Sequence, residues 1–134
     1  MAFFIAPNRF LVFVSDPGGI VTARYVKARL EEHGMRVSAG GEPLTVRWDD
    51  GPVMYVSITR GPTAKVLASR LAGAASEHEE PFSDFDGYIE VSFDDLDEVL
   101  DEITTLIEVQ GALQDATGGW VYRAWNQSLS GPNE

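Results

Sequence analysis

The sequence predicts an α+β domain in which a mostly antiparallel sheet carries amphipathic helices on one face. Three observations predict it. A Val/Phe-rich run, RFLVFVS at 9–15, precedes a turn signal and a helical stretch. Two β-rich runs alternate around Asp49-Asp50-Gly51, the pattern of a hairpin whose glycine supplies a positive φ. Apolar residues then recur at helical spacing from Leu96 to Leu113.

Taken in order, RFLVFVS has too few polar positions for a half-exposed strand and reads as a buried one. SDPGG follows as a turn, with Ser15 or Asp16 suited to cap the next helix and Pro17 to occupy its first turn. IVTARYVKARLEEHG is helical and stops at Gly34 in the left-handed conformation. MRVSAGG suits a short strand, and LTVRWDDGPVMYVSIT forms the hairpin. In GPTAKVLASRLAGAASEHEE, Ala64, Leu67, Leu71, Ala74 and Ala75 share a helical stripe and Pro62 starts it.

EEPFSDFD breaks the pattern as a loop, and GYIEVSF at 87–93 is a strand. The longest helix follows, with Leu96, Val99, Leu100, Ile103, Leu106, Ile107 and Leu113 as its expected buried stripe. TGGWVYRAW closes the domain with a strand at 119–125. The order β-α-β-β-α-β matches a ferredoxin-like sandwich, with a C-terminal helix and strand added. Residues 1–125 form one domain on this reading, and 126–134 a flexible polar tail.

At 134 residues the chain is long enough to bury its own core. It has no cysteine, which removes disulfides, thiolate metal sites and a cysteine nucleophile. The apolar start, MAFFIAPNRFLVFV, lacks a basic flank and is interrupted by Pro7, Asn8 and Arg9, so neither a signal peptide nor a membrane span is expected. A cytoplasmic location fits these features.

The net charge of −11 is unevenly distributed. Residues 1–67 hold 8 basic and 6 acidic side chains, whereas 68–134 hold 2 and 15. No Lys or Arg occurs between Leu71 and Tyr122. Such a surface repels phosphate backbones and anionic membranes, so direct nucleic-acid or membrane binding is disfavoured and any charge-steered partner is basic.

The acidic concentration peaks between Asp94 and Glu108, with seven carboxylates and no basic side chain. A calcium loop fails on spacing: with Gly87 at position 6, Asp86 and Asp84 fit, but Phe82 and Phe93 fall where ligands 1 and 12 belong. The two histidines, His33 and His78, sit near helix ends, where a cation suits the dipole, and no metal or cofactor is expected. SDPGGI lacks the remaining residues of either phosphate-binding fingerprint and reads as a tight turn. An enzyme using Asp84, Asp86 or Glu90 lacks any recognisable partner residues, and carboxylates on the wet side of a helix make poor acid–base catalysts.

Helix capping explains part of the cluster. Ser92, Asp94 and Asp95 stand where negative charge and side-chain oxygens satisfy free N–H groups. It leaves Asp101, Glu102 and Glu108 without a local role. The charge spacing is roughly one per 3 Å of helix, near the ~3.4 Å of a single nucleic-acid strand and half the density of a duplex. Trp120, Tyr122 and Trp125 alternate along the last strand, so aromatics fall on both of its faces.

The function expected from these residues is a small acidic module that docks a basic partner protein, such as an inhibitor or immunity-like factor. Its contact residues would be Asp94, Asp97, Asp101, Glu102 and Glu108, with Trp120 and Trp125 as aromatic anchors. The alternative is a ferredoxin-like ligand-binding or regulatory domain with a pocket near the last strand. Pairing of two copies as a homodimer is a further option.

Overall fold

Arg9–Val14 forms strand β1 at the heart of a seven-stranded sheet. The computed structural model describes residues 7–38, 43–47, 51–74, 85–126 and 128–131. β1 is buried on both faces, which is why its sequence is a continuous apolar run. Phe10, Val12 and Val14 enter one core, while Leu11 and Phe13 enter a second on the opposite face.

The remaining strands are β2 (Arg36–Val37), β3 (Leu44–Arg47), β4 (Met54–Arg60), β5 (Gly87–Ser92), β6 (Trp120–Arg123) and β7 (Ser128–Ser130). Their spatial order is β2-β3-β4-β5-β1-β6-β7, and every neighbouring pair is antiparallel. The helices are α1 (Ala23–Glu32), α2 (Pro62–Ala74), α3 (Leu96–Asp101) and α4 (Ile103–Thr117).

The class is α+β with an antiparallel sheet, but the strand order is not ferredoxin-like. A ferredoxin-like sandwich sets its first and third strands side by side and antiparallel, with the fourth strand on the far side of the first. Here β5 lies between β1 and β4 and runs antiparallel to both. The cause is the path around α2. Arg60 pairs with Gly87, and the Gly61 N–H reaches the Asp86 carbonyl at 3.0 Å, so the chain re-enters the sheet at the end where it left. That return makes β5 antiparallel to β4. A split unit does occur later: β5 and β6 are parallel, joined through α3 and α4, with β1 between them.

The helices also occupy both faces, not one. Val26 and Leu30 of α1, Val99 of α3, and Leu106, Val109 and Leu113 of α4 cover the face that carries Val12, Val56 and Ile89. Ala68 of α2 instead meets Leu11, Phe13, Phe85 and Tyr122 on the other side. Phe13 and Phe85 stack there with ring centroids 5.8 Å apart.

Local chemistry sets the ends of these elements. The first helix starts later than the sequence suggested, because Thr22 and not Ser15 or Asp16 is its cap, accepting from the Tyr25 N–H at 3.2 Å. Gly34 takes the left-handed φ of 86° expected of it. The register of β3 with β4 pairs Val46 with Met54 and Leu44 with Val56, giving the expected hairpin. Its turn residues Asp49 and Asp50 lie outside the described residues.

The segment after Asn126, expected as tail, adds strand β7, which pairs with β6. Arg123 ties this edge to α4: its guanidinium donates to the Gln110 side-chain oxygen at 3.0 Å and to the Ser130 hydroxyl at 2.8 Å. Gln110 is thereby a satisfied buried polar group on a helix that, Thr105 apart, otherwise buries apolar side chains.

Candidate acidic face on the third and fourth helices

The acidic stretch is built on two helices, a short α3 and the longer α4, not one. Asp95 has extended backbone and caps α3, its carboxylate accepting from the N–H groups of Asp97 at 3.0 Å and Glu98 at 3.3 Å. Ser92 belongs to β5 and takes no part in that cap. At Glu102 the backbone leaves the helical region (φ −104°, ψ 52°), ending α3 and starting α4.

Across this break the side chains sort into two stripes. Val99, Leu106 and Leu113 repeat every seven residues and point to the core, joined by Val109 and Ala112. Leu96 is partly buried against them. Leu100, Ile103 and Ile107, expected in the same buried stripe, are exposed at 36%, 46% and 58%. The reason is geometric: apolar residues span more of the helix circumference than the sheet and α1 cover, so one edge of the band stays in solvent.

The carboxylates follow the outer side. Asp94, Asp97, Asp101 and Glu102 are exposed, while Glu108 is half-buried, against expectation. Four ion pairs occur among the described residues: Arg9–Glu90, Lys27–Glu31, Arg29–Glu32 and Arg60–Asp16. None reaches this face. Asp94 accepts from the Tyr55 hydroxyl at 3.1 Å, and that bond to a carboxylate holds the phenol above its usual value of 10.0.

Beside α3 lies a cleft of about 210 Å³. Val53, Phe93 and Val99 form its apolar side, and Tyr55, Asp94 and Glu98 its polar side. It falls short of the ~300 Å³ at which small-molecule sites usually begin. It is also separate from the last strand, where a ligand pocket was expected: none of its lining residues belongs to β6.

The two aromatic anchors are half-buried and lie apart. Trp120 packs into the core on the α2 side, and Trp125 packs on the α3 side with its ring 5.9 Å from Phe93. They fill both faces of the sheet edge, and only Trp125 shares a layer with the acidic helices. Among the carboxylates considered for catalysis, Glu90 pairs with Arg9 at 2.8 Å and Asp86 accepts the Asp16 N–H at 2.9 Å. Asp84 and His78 lie outside the described residues. Among those described, no group of three potential metal ligands is assembled, and no helix is long and apolar enough to cross a membrane.

One carboxylate, read from the sequence only as a candidate helix cap, is held more firmly than that. Asp16, 5% exposed, accepts from the N–H groups of Ile20 at 3.0 Å and Val21 at 2.8 Å, and from Arg60 at 2.7 Å. Desolvation pushes its pKa up, but the two N–H bonds and the guanidinium outweigh it, leaving the group below its usual 3.8. An ionised carboxylate held by three donors anchors the Pro17-Gly18-Gly19 turn rather than moving protons. Its one sequence signal was an acidic residue between a buried strand and a Pro-Gly-Gly turn.

In comparisons with protein families, curated proteins and solved structures, nothing matches this chain.

Proposed function

We propose that this chain is a small protein-binding module whose α3–α4 face docks a basic partner protein, in the manner of an inhibitor or immunity-like factor. One observation carries the reading: Asp97, Asp101 and Glu102 are exposed together, and no ion pair among the described residues neutralises them. Capping accounts for Asp95, the first turn of α3 for Asp97 and the Tyr55 hydroxyl for Asp94, but none of these accounts for Asp101 and Glu102. Charges kept free on one face and absent from the core speed diffusional encounter with an oppositely charged surface.

The test is the triple change of Asp97 and Asp101 to Asn and Glu102 to Gln. A basic protein captured by the parent chain should associate about tenfold more slowly with the variant, and raised salt should slow the parent likewise. Folding stability should hold or rise by a few tenths of a kcal/mol, because self-repulsion is relieved. An association rate indifferent to both the substitutions and salt would leave the carboxylates as solvated surface and end this reading.

A further inference from the structure

The acidic face has an apolar component that the charge argument does not use. Ile103 and Ile107 stand one turn apart on α4, and Leu100 precedes them at the end of α3. At exposures of 36–58% they are three of the five exposed large hydrophobic residues described. Ile103 and Ile107, i and i+4 on α4, share one face, and Leu100 stands just before the break at Glu102. The three therefore gather within one short stretch, whereas apolar side chains scattered singly over a surface would need no account. Asp97, Asp101 and Glu102 are exposed on the same stretch of chain.

We propose that the Leu100–Ile103–Ile107 strip, flanked by these three carboxylates, docks an amphipathic segment of the partner that sets an apolar stripe beside Lys or Arg. This rests on the preceding reading of the face as a docking site for a basic protein, and it specifies the chemistry that partner presents. The apolar stripe gives affinity by removing Ile103 and Ile107 from water, and the basic side chains give register and encounter rate. A second copy of this chain is the poorer occupant. Two-fold pairing through the strip would bring Asp97, Asp101 and Glu102 towards their own counterparts, and like-charge contacts across an interface are costly.

Three synthetic peptides of about 18 residues, five helical turns, serve as probes against the full chain. One is a Leu/Lys peptide with leucine at helical spacing, the second a scramble of the same composition, and the third a Lys/Gly peptide without leucine. Titration followed by amide NMR should show the amphipathic peptide binding at least about tenfold tighter than the others, with shifts centred on residues 97–107. Changing Ile103 and Ile107 to Ser should remove that preference while retaining weak, salt-sensitive binding of all three.

Equal affinity for the three peptides, with the triple charge variant still weakening each, would overturn the strip's role and leave the acidic docking face standing. Binding unaffected by the charge variant would remove both. Shifts confined to another surface would also overturn the assignment, and this measurement needs no substitution. Sedimentation of the parent as a dimer that Ile107→Ser converts to monomer would replace the amphipathic partner with a second copy.

Discussion

Asp16→Asn should destabilise the fold at neutral pH, and the destabilisation should fade in acid. The carboxylate receives three hydrogen bonds, with Ile20 on Oδ1 and both Val21 and Arg60 on Oδ2. An amide keeps one acceptor. If its oxygen takes the Oδ2 position, its NH2 faces the Ile20 N–H, donor against donor. One unsatisfied donor at a buried site costs about 1–3 kcal/mol. The Arg60 bond also loses its ionic share, worth under ~1 kcal/mol because the guanidinium is 38% exposed. Together these come to about 1–4 kcal/mol, read from urea melts of parent and variant at pH near 7.

The pH dependence has a definite sign. The folded-state pKa of Asp16 lies below the usual 3.8, so as acid is added the unfolded chain takes up this proton first. The stabilisation is complete above 3.8 and is lost as pH falls through the folded value. The gap between parent and variant should therefore narrow as pH falls from about 3.8 through the folded value. A variant as stable as the parent at neutral pH, or a gap that stays constant into acid, would show that the carboxylate does not hold this turn.

Leu113→Ala should cost about 2–5 kcal/mol in a denaturant melt and Ile103→Ala less than ~1, since the first side chain is fully buried and the second is 46% exposed; equal losses would put both stripes in the core. Gly119→Ala should lower the thermal midpoint measurably, at about 1–3 kcal/mol or more, because a Cβ there would stand 2.5 Å from the Phe13 carbonyl oxygen and 2.7 Å from a Val12 methyl. A neutral outcome at Gly119 would mean that β1 and β6 part more readily than their pairing implies.

Elements with one dominant local signal were legible in the sequence. The apolar run of β1, the alternation on both sides of the β3–β4 turn, and the Gly34 stop all act through near neighbours, and each is in place. Strand order was not legible, because it depends on where the chain re-enters the sheet after α2, and residues 61–86 carry no period that fixes the direction of return. The same limit hid the second layer. Ala64, Leu67 and Ala68 show that α2 has an inward side, but only the burial of Leu11 and Phe13 beneath it tells which face of the sheet receives that helix.

For the candidate site, charge was legible and phase was not. Exposure of Asp97, Asp101 and Glu102 follows from their type, since burying unpaired carboxylates would cost far more than ordering the helix returns. Which apolar edge of the helix meets the sheet is a different question, because Val99, Leu106 and Leu113 form one seven-residue series and Leu100, Ile103 and Ile107 lie along another stripe. Gln110 was the discriminating residue. Its polar side chain can occupy a buried position because Arg123 from β6 supplies two donors to its oxygen.

That choice of phase bears directly on function. Had α4 turned Ile103 and Ile107 inward, Val109 and Ala112 would have faced water. The exposed apolar surface would then consist of smaller side chains. In the observed phase the inner stripe holds Val109, Ala112 and Leu113, and Ala112 lets α4 approach closely. Larger and more flexible isoleucines are left outside beside unneutralised carboxylates. Folding gains less from isoleucine at these half-exposed sites than at buried ones, and alanine has the higher helix propensity. Docking of an apolar stripe between basic side chains would supply a further gain, because each methylene withdrawn from water contributes about 0.8 kcal/mol. In the proposed docking, the charge on this face brings the partner in and the isoleucines hold it.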